Sequence, residues 1–236
     1  MRRILLCLVL CLATGALAQS APVRSGDYDA FWLWAGVAGR PELDKAACLY
    51  LLQGEISPPR PQGTPAVLHA MSGASPGPHQ APIYLVYRVR TLDWSPVIMA
   101  QIKARLEHWH SQPGAIIGLQ LDFDAGTKHL EPYRSFLARV RGDLPSQYRL
   151  SITGLMDWAS QARLEDLEAL SGVVDEIVFQ TYRGRATVAD IDAYLARLDR
   201  LTIPFKLGLA EGAEWNPSPT LAGKPNFKGY VVFLRN

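Results

Sequence analysis

Cysteine is scarce: the 236 residues hold three, at positions 7, 11 and 48. Residues 1–18 read as a secretory signal, with Arg2 and Arg3 as its charged start, an apolar run over 4–13, and Ala16-Leu17-Ala18 as the cleavage site. Removing that segment leaves Cys48 as the single thiol, which excludes an internal disulfide and a Cys-x-x-Cys zinc site. A charge excess is also lacking. The 24 basic residues lose Arg2 and Arg3, leaving 22 against 22 acidic ones. A neutral mature chain has no electrostatic hold on nucleic acid or on an anionic membrane. The apolar run at the start is too short to span a bilayer. No dinucleotide fingerprint, P-loop or Gly-x-Ser-x-Gly elbow follows any expected strand, and no repeat or linker divides the chain. The expectation is a periplasmic or secreted monomer, with no membrane insertion after signal cleavage. Residues 19–236 then form one domain standing on its hydrophobic core.

What is present is a rhythm. Apolar runs bounded by turn residues predict strands over 30–37, 47–54, 83–89, 116–123, 149–153, 176–181, 205–209 and 228–234. Helical spacing predicts helices over 95–111, 130–140, 161–170 and 187–201, the first opened by Ser95 as cap and Pro96 at its first position. Between residues 57 and 81 proline and glycine predict a long loop, with a short strand inside it at 66–71. Eight strands alternating with helices imply parallel pairing and right-handed crossovers, which close as a (β/α)8 TIM-type barrel. The barrel is expected to be irregular, with helices missing after strands two and seven; an open doubly wound sheet is the alternative.

The fourth strand carries the chemistry. Alternate residues of a strand share a face, so Gln120, Asp122 and Asp124 point one way while Leu119, Leu121 and Phe123 point the other. Two carboxylates and an amide on one side are costly to bury without partners or water. An Asp after a strand often caps the next helix, which accounts for Asp124 alone but not for three polar residues in step. In a barrel the residues beyond the strand ends meet in one mouth. By that rule the mouth receives Trp34, Gln53, Glu55, Arg88, Arg90, Asp93, Trp94, Thr153, Asp157, Trp158, Gln180, Tyr182, Arg183, Glu211, Glu214 and Trp215 besides the acids. Indole faces suit the C–H face of a sugar ring, and carboxylates and amides suit its hydroxyls, so the expected ligand is a polysaccharide or oligosaccharide. Asp122-x-Asp124 with His129 is a weak metal set; no metal and no cofactor is expected.

The motif Gly118-x-Gln120-x-Asp122-x-Asp124 resembles the fourth-strand signature of family 18 chitinases, and Gln180-Thr181-Tyr182 resembles the Gln-x-Tyr of plant-type members. The resemblance implies Asp124 as proton donor, Asp122 as the residue orienting a substrate N-acetyl group, and Tyr182 as its support, in a substrate-assisted route. Two departures stand out: the first acid of the signature is Gln120 here, and its final glutamate is Asp124, one methylene shorter. Arg88 and Lys206 are expected to share the interior with the acids, and a cation beside a carboxylate stabilises its charged form, whereas a proton donor needs the reverse. Over nearly the whole mature chain, through Asp29-Ala30-Phe31-Trp32-Leu33-Trp34, residues 121–124, 151–158 and 229–234, the sequence is similar to a bacterial family known only as a domain of unknown function with a glycosidase-like barrel. Two functions follow as expectations. One is an exported glycoside-hydrolase-like barrel that binds, and in its active form hydrolyses, an amino-sugar polysaccharide. The other is a non-catalytic carbohydrate-binding or envelope-associated protein on the same scaffold.

Overall fold

The computed structural model describes residues 20–36, 39–58, 64–71, 81–111, 115–124, 126, 130–158, 162–198, 200–217, 221 and 223–234. The expected signal segment and His129 lie outside these residues.

Eight parallel strands close on themselves. They are β1 (Ala30–Leu33), β2 (Cys48–Ser57), β3 (Pro82–Val89), β4 (Ala115–Asp122), β5 (Arg149–Leu155), β6 (Glu176–Gln180), β7 (Phe205–Ala210) and β8 (Phe227–Leu234). Each pairs with its neighbours in chain order. Closure comes from β1, which pairs with β2 from Ala30↔Cys48 to Leu33↔Leu51 and with β8 from Phe31↔Val232 to Leu33↔Leu234. Full closure removes sheet edges, and this distinguishes the fold from the open doubly wound sheet.

Among the described residues four α-helices are complete between strands: α1 (Pro96–His110), α2 (Leu130–Asp143), α3 (Leu164–Glu168) and α4 (Ile191–Leu198). Among the described residues no helix follows β2 or β7. Instead, Val67–Ala70 folds back antiparallel on the end of β2, and Glu214–Trp215 pairs with Ala21–Pro22. The helices after β5 and β6 are shorter than their sequence windows. Leu164–Glu168 is little more than one turn, and Ala186–Thr187, at the start of the last helical window, instead makes a hairpin with Tyr182–Arg183. Pro96 opens α1 as expected, but Ser95 makes no side-chain capping bond.

The barrel has two apolar layers because its strands are buried on both faces. Leu119 and Leu121 of β4 pack outward with Ile102, Tyr133 and Leu137 of the helices. Inside lie Trp32, Tyr50, Tyr84, Val86, Val178 and Phe233. Two glycines make room for these rings. A Cβ on Gly118 would sit 2.8 Å from Tyr84 Cε1 and 2.3 Å from the Arg149 carbonyl oxygen, and one on Gly208 would sit 2.6 Å from Phe233 Cε2. Tyr84 can then stack on Tyr50, with centroids 5.0 Å apart, and Phe233 on Trp32 at 5.1 Å.

Candidate functional site

The β4 alternation holds. Asp122 ends the strand on the inner side, 5% exposed, and Asp124 stands two residues further at the rim with its side chain 54% exposed. Arg88 is the register partner of Asp122 on β3. Its guanidinium lies 3.9 Å from Asp122 Oδ2, 3.9 Å from Asp124 Oδ2, and 5.8 Å from the centroid of Trp34. Thr153 Oγ1 donates to Asp122 Oδ1 at 2.8 Å, and Gln180 Nε2 donates to the same oxygen at 3.4 Å. Strands three to six therefore converge on one carboxylate.

Burial pushes the Asp122 carboxyl above its ordinary value of 3.8; the nearby Asp124 carboxylate adds to this, while the Thr153 hydroxyl, Arg88 and Arg90 act against it. A raised value in the folded state means that protonation favours folding. That contribution is fully present below 3.8 and is lost as pH rises through the raised value. Asp122→Asn keeps the oxygen that Thr153 and Gln180 bond, so the variant is expected to lose this fall in stability with rising pH. Urea unfolding at steps across about pH 4–8 reads it, and an unchanged profile in the variant would remove Asp122 as its source.

Gln120 is engaged by the barrel's own side chains. It is fully buried, its Oε1 accepts from Trp32 Nε1 at 2.8 Å, and its Nε2 donates to Ser151 Oγ at 3.0 Å. Ser151 Oγ donates in turn to Glu176 Oε1 at 3.1 Å, and Tyr50 OH donates to that same oxygen at 2.7 Å. Lys206 Nζ lies 3.3 Å from Glu176 Oε2 and 3.0 Å from Tyr50 OH. Gln120 is thus the upper end of a polar chain through the barrel floor. Cys48 sits beside it, buried, its thiol pushed up to about 11 by burial.

Of the four tryptophans expected at the mouth, Trp34 is there, half-buried, its ring 4.6 Å from Trp32 and under Arg88. The other three are not. Trp94 turns outward: its Nε1 donates to the Thr91 carbonyl at 2.9 Å and its ring packs edge-on to Phe136, between α1 and α2. Trp158 is fully buried against Tyr133 and Phe179 in the outer layer. Trp215 is 3% exposed and packs on Tyr230. An indole fits the outer core as well as a groove because its body is apolar and one N–H needs a partner. Gln53 also points outward, its Oε1 accepting from Arg105 of α1 at 3.0 Å. Glu211 is held by Arg40, whose Nη1 donates to Oε2 at 2.9 Å.

Asp124, Asp157, Gln180 and Tyr182 share one cleft of about 900 Å³, walled by the Tyr182–Thr187 hairpin and by Asp190 and Tyr194 at the start of α4. Burial raises the Asp157 carboxyl above its ordinary range, opposed by two backbone bonds and by Arg183. The Tyr182 ring packs on Phe233 at 5.3 Å, which ties the cleft to the barrel interior. Sequence reading does not single out Asp190, Tyr194, Glu176 or Tyr50 for the site or its support. Asp190 holds a left-handed φ of 55°, a conformation that Asp tolerates better than most residues, but nothing in the local sequence announces it. Among the described residues no three His, Cys, Asp or Glu side chains converge as a metal site, and no helix is long and apolar enough to cross a membrane.

Comparison with solved structures returns distant likenesses. The spore cortex-lytic enzyme SleL of Bacillus cereus matches at 18% identity and TM-score 0.49, over 77% of this chain and 51% of that one. A chitinase from Ipomoea carnea matches at 13% and 0.44, over 80% and 85%, and the chitinase domain of the Clostridium difficile spore coat protein CotE at 12% and 0.47, over 80% and 68%. The chain spans about half the length of SleL. These likenesses concern the course of the chain and carry no reaction. No curated protein matches the sequence. A family model described as Domain of unknown function (DUF3142) matches residues 77–198, just over half of the chain.

Proposed function

The chain belongs to the DUF3142 family, which brings no reaction with it, and from the mouth of the barrel we propose that it is a glycoside-hydrolase-like scaffold that binds an amino-sugar polysaccharide without cleaving it. In this reading the protein works in the periplasm or outside the cell, as a monomer freed of its signal segment. The observation that carries it is the Asp122–Arg88–Asp124 bridge over Trp34, opening on the cleft that holds Gln180, Tyr182 and Asp157. An aromatic ring beside fixed charged and amide groups is the makeup of a saccharide site, with Asp122 and Tyr182 where the chitinase-like motif puts its N-acetyl contacts.

Three features argue against turnover. Asp124 is one methylene shorter than the glutamate of the motif, and a proton donor must come within about 3 Å of the leaving oxygen. It stands in water beside a guanidinium 3.9 Å away, the opposite of the apolar pocket that equips a carboxyl to donate a proton. Asp122, the acid that burial does raise, has one oxygen committed to Thr153 and Gln180 and the other toward Arg88. The test is titration of mature protein with chitin-like and peptidoglycan-like oligomers, with reducing-end release assayed in parallel. Binding without release is expected, weakened about tenfold by Trp34→Ala, the size of one aromatic contact of about 1.4 kcal/mol. Reducing ends that appear with wild type and vanish with Asp124→Asn would install the hydrolytic reading instead; no binding at all would end both.

A further inference from the structure

Trp34 and Tyr182, two aromatic members of the proposed site, leave the barrel from different strands, and a single buried ring links their supports. Phe233 of β8 is the register partner of Trp32 on β1, and the two rings stack at 5.1 Å and 16°. Trp32 is also pinned by its Nε1 bond to Gln120, at 2.8 Å, and its ring carries the edge of Trp34 at 4.6 Å. Phe233 meets Tyr182 in turn, at 5.3 Å and 63°. At 3% exposure it has almost no surface for a ligand, so what it does for the site it does through these neighbours.

The seat of Phe233 is made by Gly208 on β7. A Cβ there would lie 2.6 Å from Phe233 Cε2, and the ring, packed on both Trp32 and Tyr182, has nowhere to yield. The same glycine anchors the chain at Tyr182: its carbonyl oxygen accepts from the Thr181 backbone N–H at 3.0 Å and from Thr181 Oγ1 at 2.9 Å. Tyr182 thus starts from a fixed neighbour and its ring closes on Phe233, while Trp34 reaches that ring through Trp32. Close-packed rings do not shift singly. Resting on the saccharide reading above, we infer that Phe233, seated by Gly208, is the positioning residue of the site, holding Trp34 and Tyr182 at a fixed relation so that one sugar chain is read by both rings together. Rings held independently would contribute additively to affinity; rings held by one shared neighbour do not.

The experiment is a double-mutant cycle on the binding of N-acetylglucosamine tetramer by calorimetry, with Trp34→Ala, Tyr182→Ala and both together, in wild type and in Phe233→Leu. Leucine keeps the position apolar and removes the flat faces; Gly208→Ala, which keeps the ring and displaces it, makes the same comparison should Phe233→Leu fail to fold. The expected coupling is about fivefold in wild type, falling to within about twofold of additivity in Phe233→Leu. Circular dichroism of the ligand-free proteins gives a second reading, since the touching indoles of Trp32 and Trp34 couple their transitions into a paired band. That band is expected to shrink in Phe233→Leu, while a cooperative urea transition shows the barrel still folded. Effects of the two rings that already add in wild type, or a coupling that keeps its size in Phe233→Leu, overturn the positioning role and leave the saccharide reading standing. Failure of wild type to bind ends the saccharide reading, and the band then decides alone: unchanged in Phe233→Leu it overturns the positioning role, diminished it upholds Phe233 as the holder of the rings.

Discussion

Glu176→Ala is expected to cost the fold about 3–5 kcal/mol, the usual result of removing one partner from a buried ion pair. The carboxylate is 5% exposed and holds three groups at once: Tyr50 and Ser151 donate to one oxygen, and Lys206 stands 3.3 Å from the other. Without it the ammonium, whose side chain is only 14% exposed, keeps the Tyr50 hydroxyl as its remaining partner. Bringing that charge into the interior is no longer repaid by attraction. Urea unfolding should show the midpoint falling by about 1–2 M at unchanged slope. Replacing both partners, Glu176→Leu with Lys206→Met, is expected to recover most of the loss, because an apolar pair of similar volume demands no desolvation. A single variant within about 1 kcal/mol of wild type would mean that water already reaches the pair from the floor of the barrel.

That ion pair marks the limit of what sequence can supply. The parity of its strand places Lys206 inside the barrel, but its partner lies thirty positions earlier, as the first residue of β6, and the hydroxyl between them comes from β2. Local periodicity gives the face a residue occupies; it does not give the partner across a closed barrel. The same limit governs the site. Asp122, Arg88 and Trp34 lie within strands or directly beyond them, where alternation still applies, and the structure brings all three together. Trp94, Trp158 and Trp215 lie several residues past their strands, where a turn has already reset the direction of the chain. Their indoles go to the outer apolar layer, which offers more area to bury than the rim of a cleft. The eight strands are legible because parallel barrel strands are apolar on both faces and punctuated by turns. The hairpin at residues 182–187 is not, since two-residue strands fall below any periodicity and Gly184, with φ 63°, is a signal shared by many turns.

Gln120→Glu would restore the acid that the chitinase-like motif carries at this position, and it is expected to destabilise the protein by about 3–5 kcal/mol at neutral pH. The wild-type amide is matched at both ends: its oxygen accepts from Trp32, and its nitrogen donates to Ser151, whose own proton goes to Glu176. A carboxylate of the same shape keeps the first bond. At the second it sets a lone pair against the Ser151 oxygen, and its charge joins those of Glu176 and Asp122 in a fully buried position. The two cations of the interior are already engaged: Lys206 is held by Glu176, and Arg88 by Asp122 and Asp124. Burial and like charge both raise the proton affinity of such a group. The variant should therefore recover toward wild type as pH falls, since the protonated form of the new carboxyl can again donate to Ser151, and lose stability as pH rises through its raised value. Paired urea melts of wild type and variant at about pH 5 and about pH 8 measure the difference; a gap that is small, or that fails to widen with pH, would mean that the chain from Trp32 to Glu176 tolerates a second charge. The expected outcome gives a physical reason for the departure from the motif. With Trp32 donating to it and Glu176 already holding a negative charge inside the barrel, the position needs an acceptor and a donor together, and glutamine supplies both without a charge.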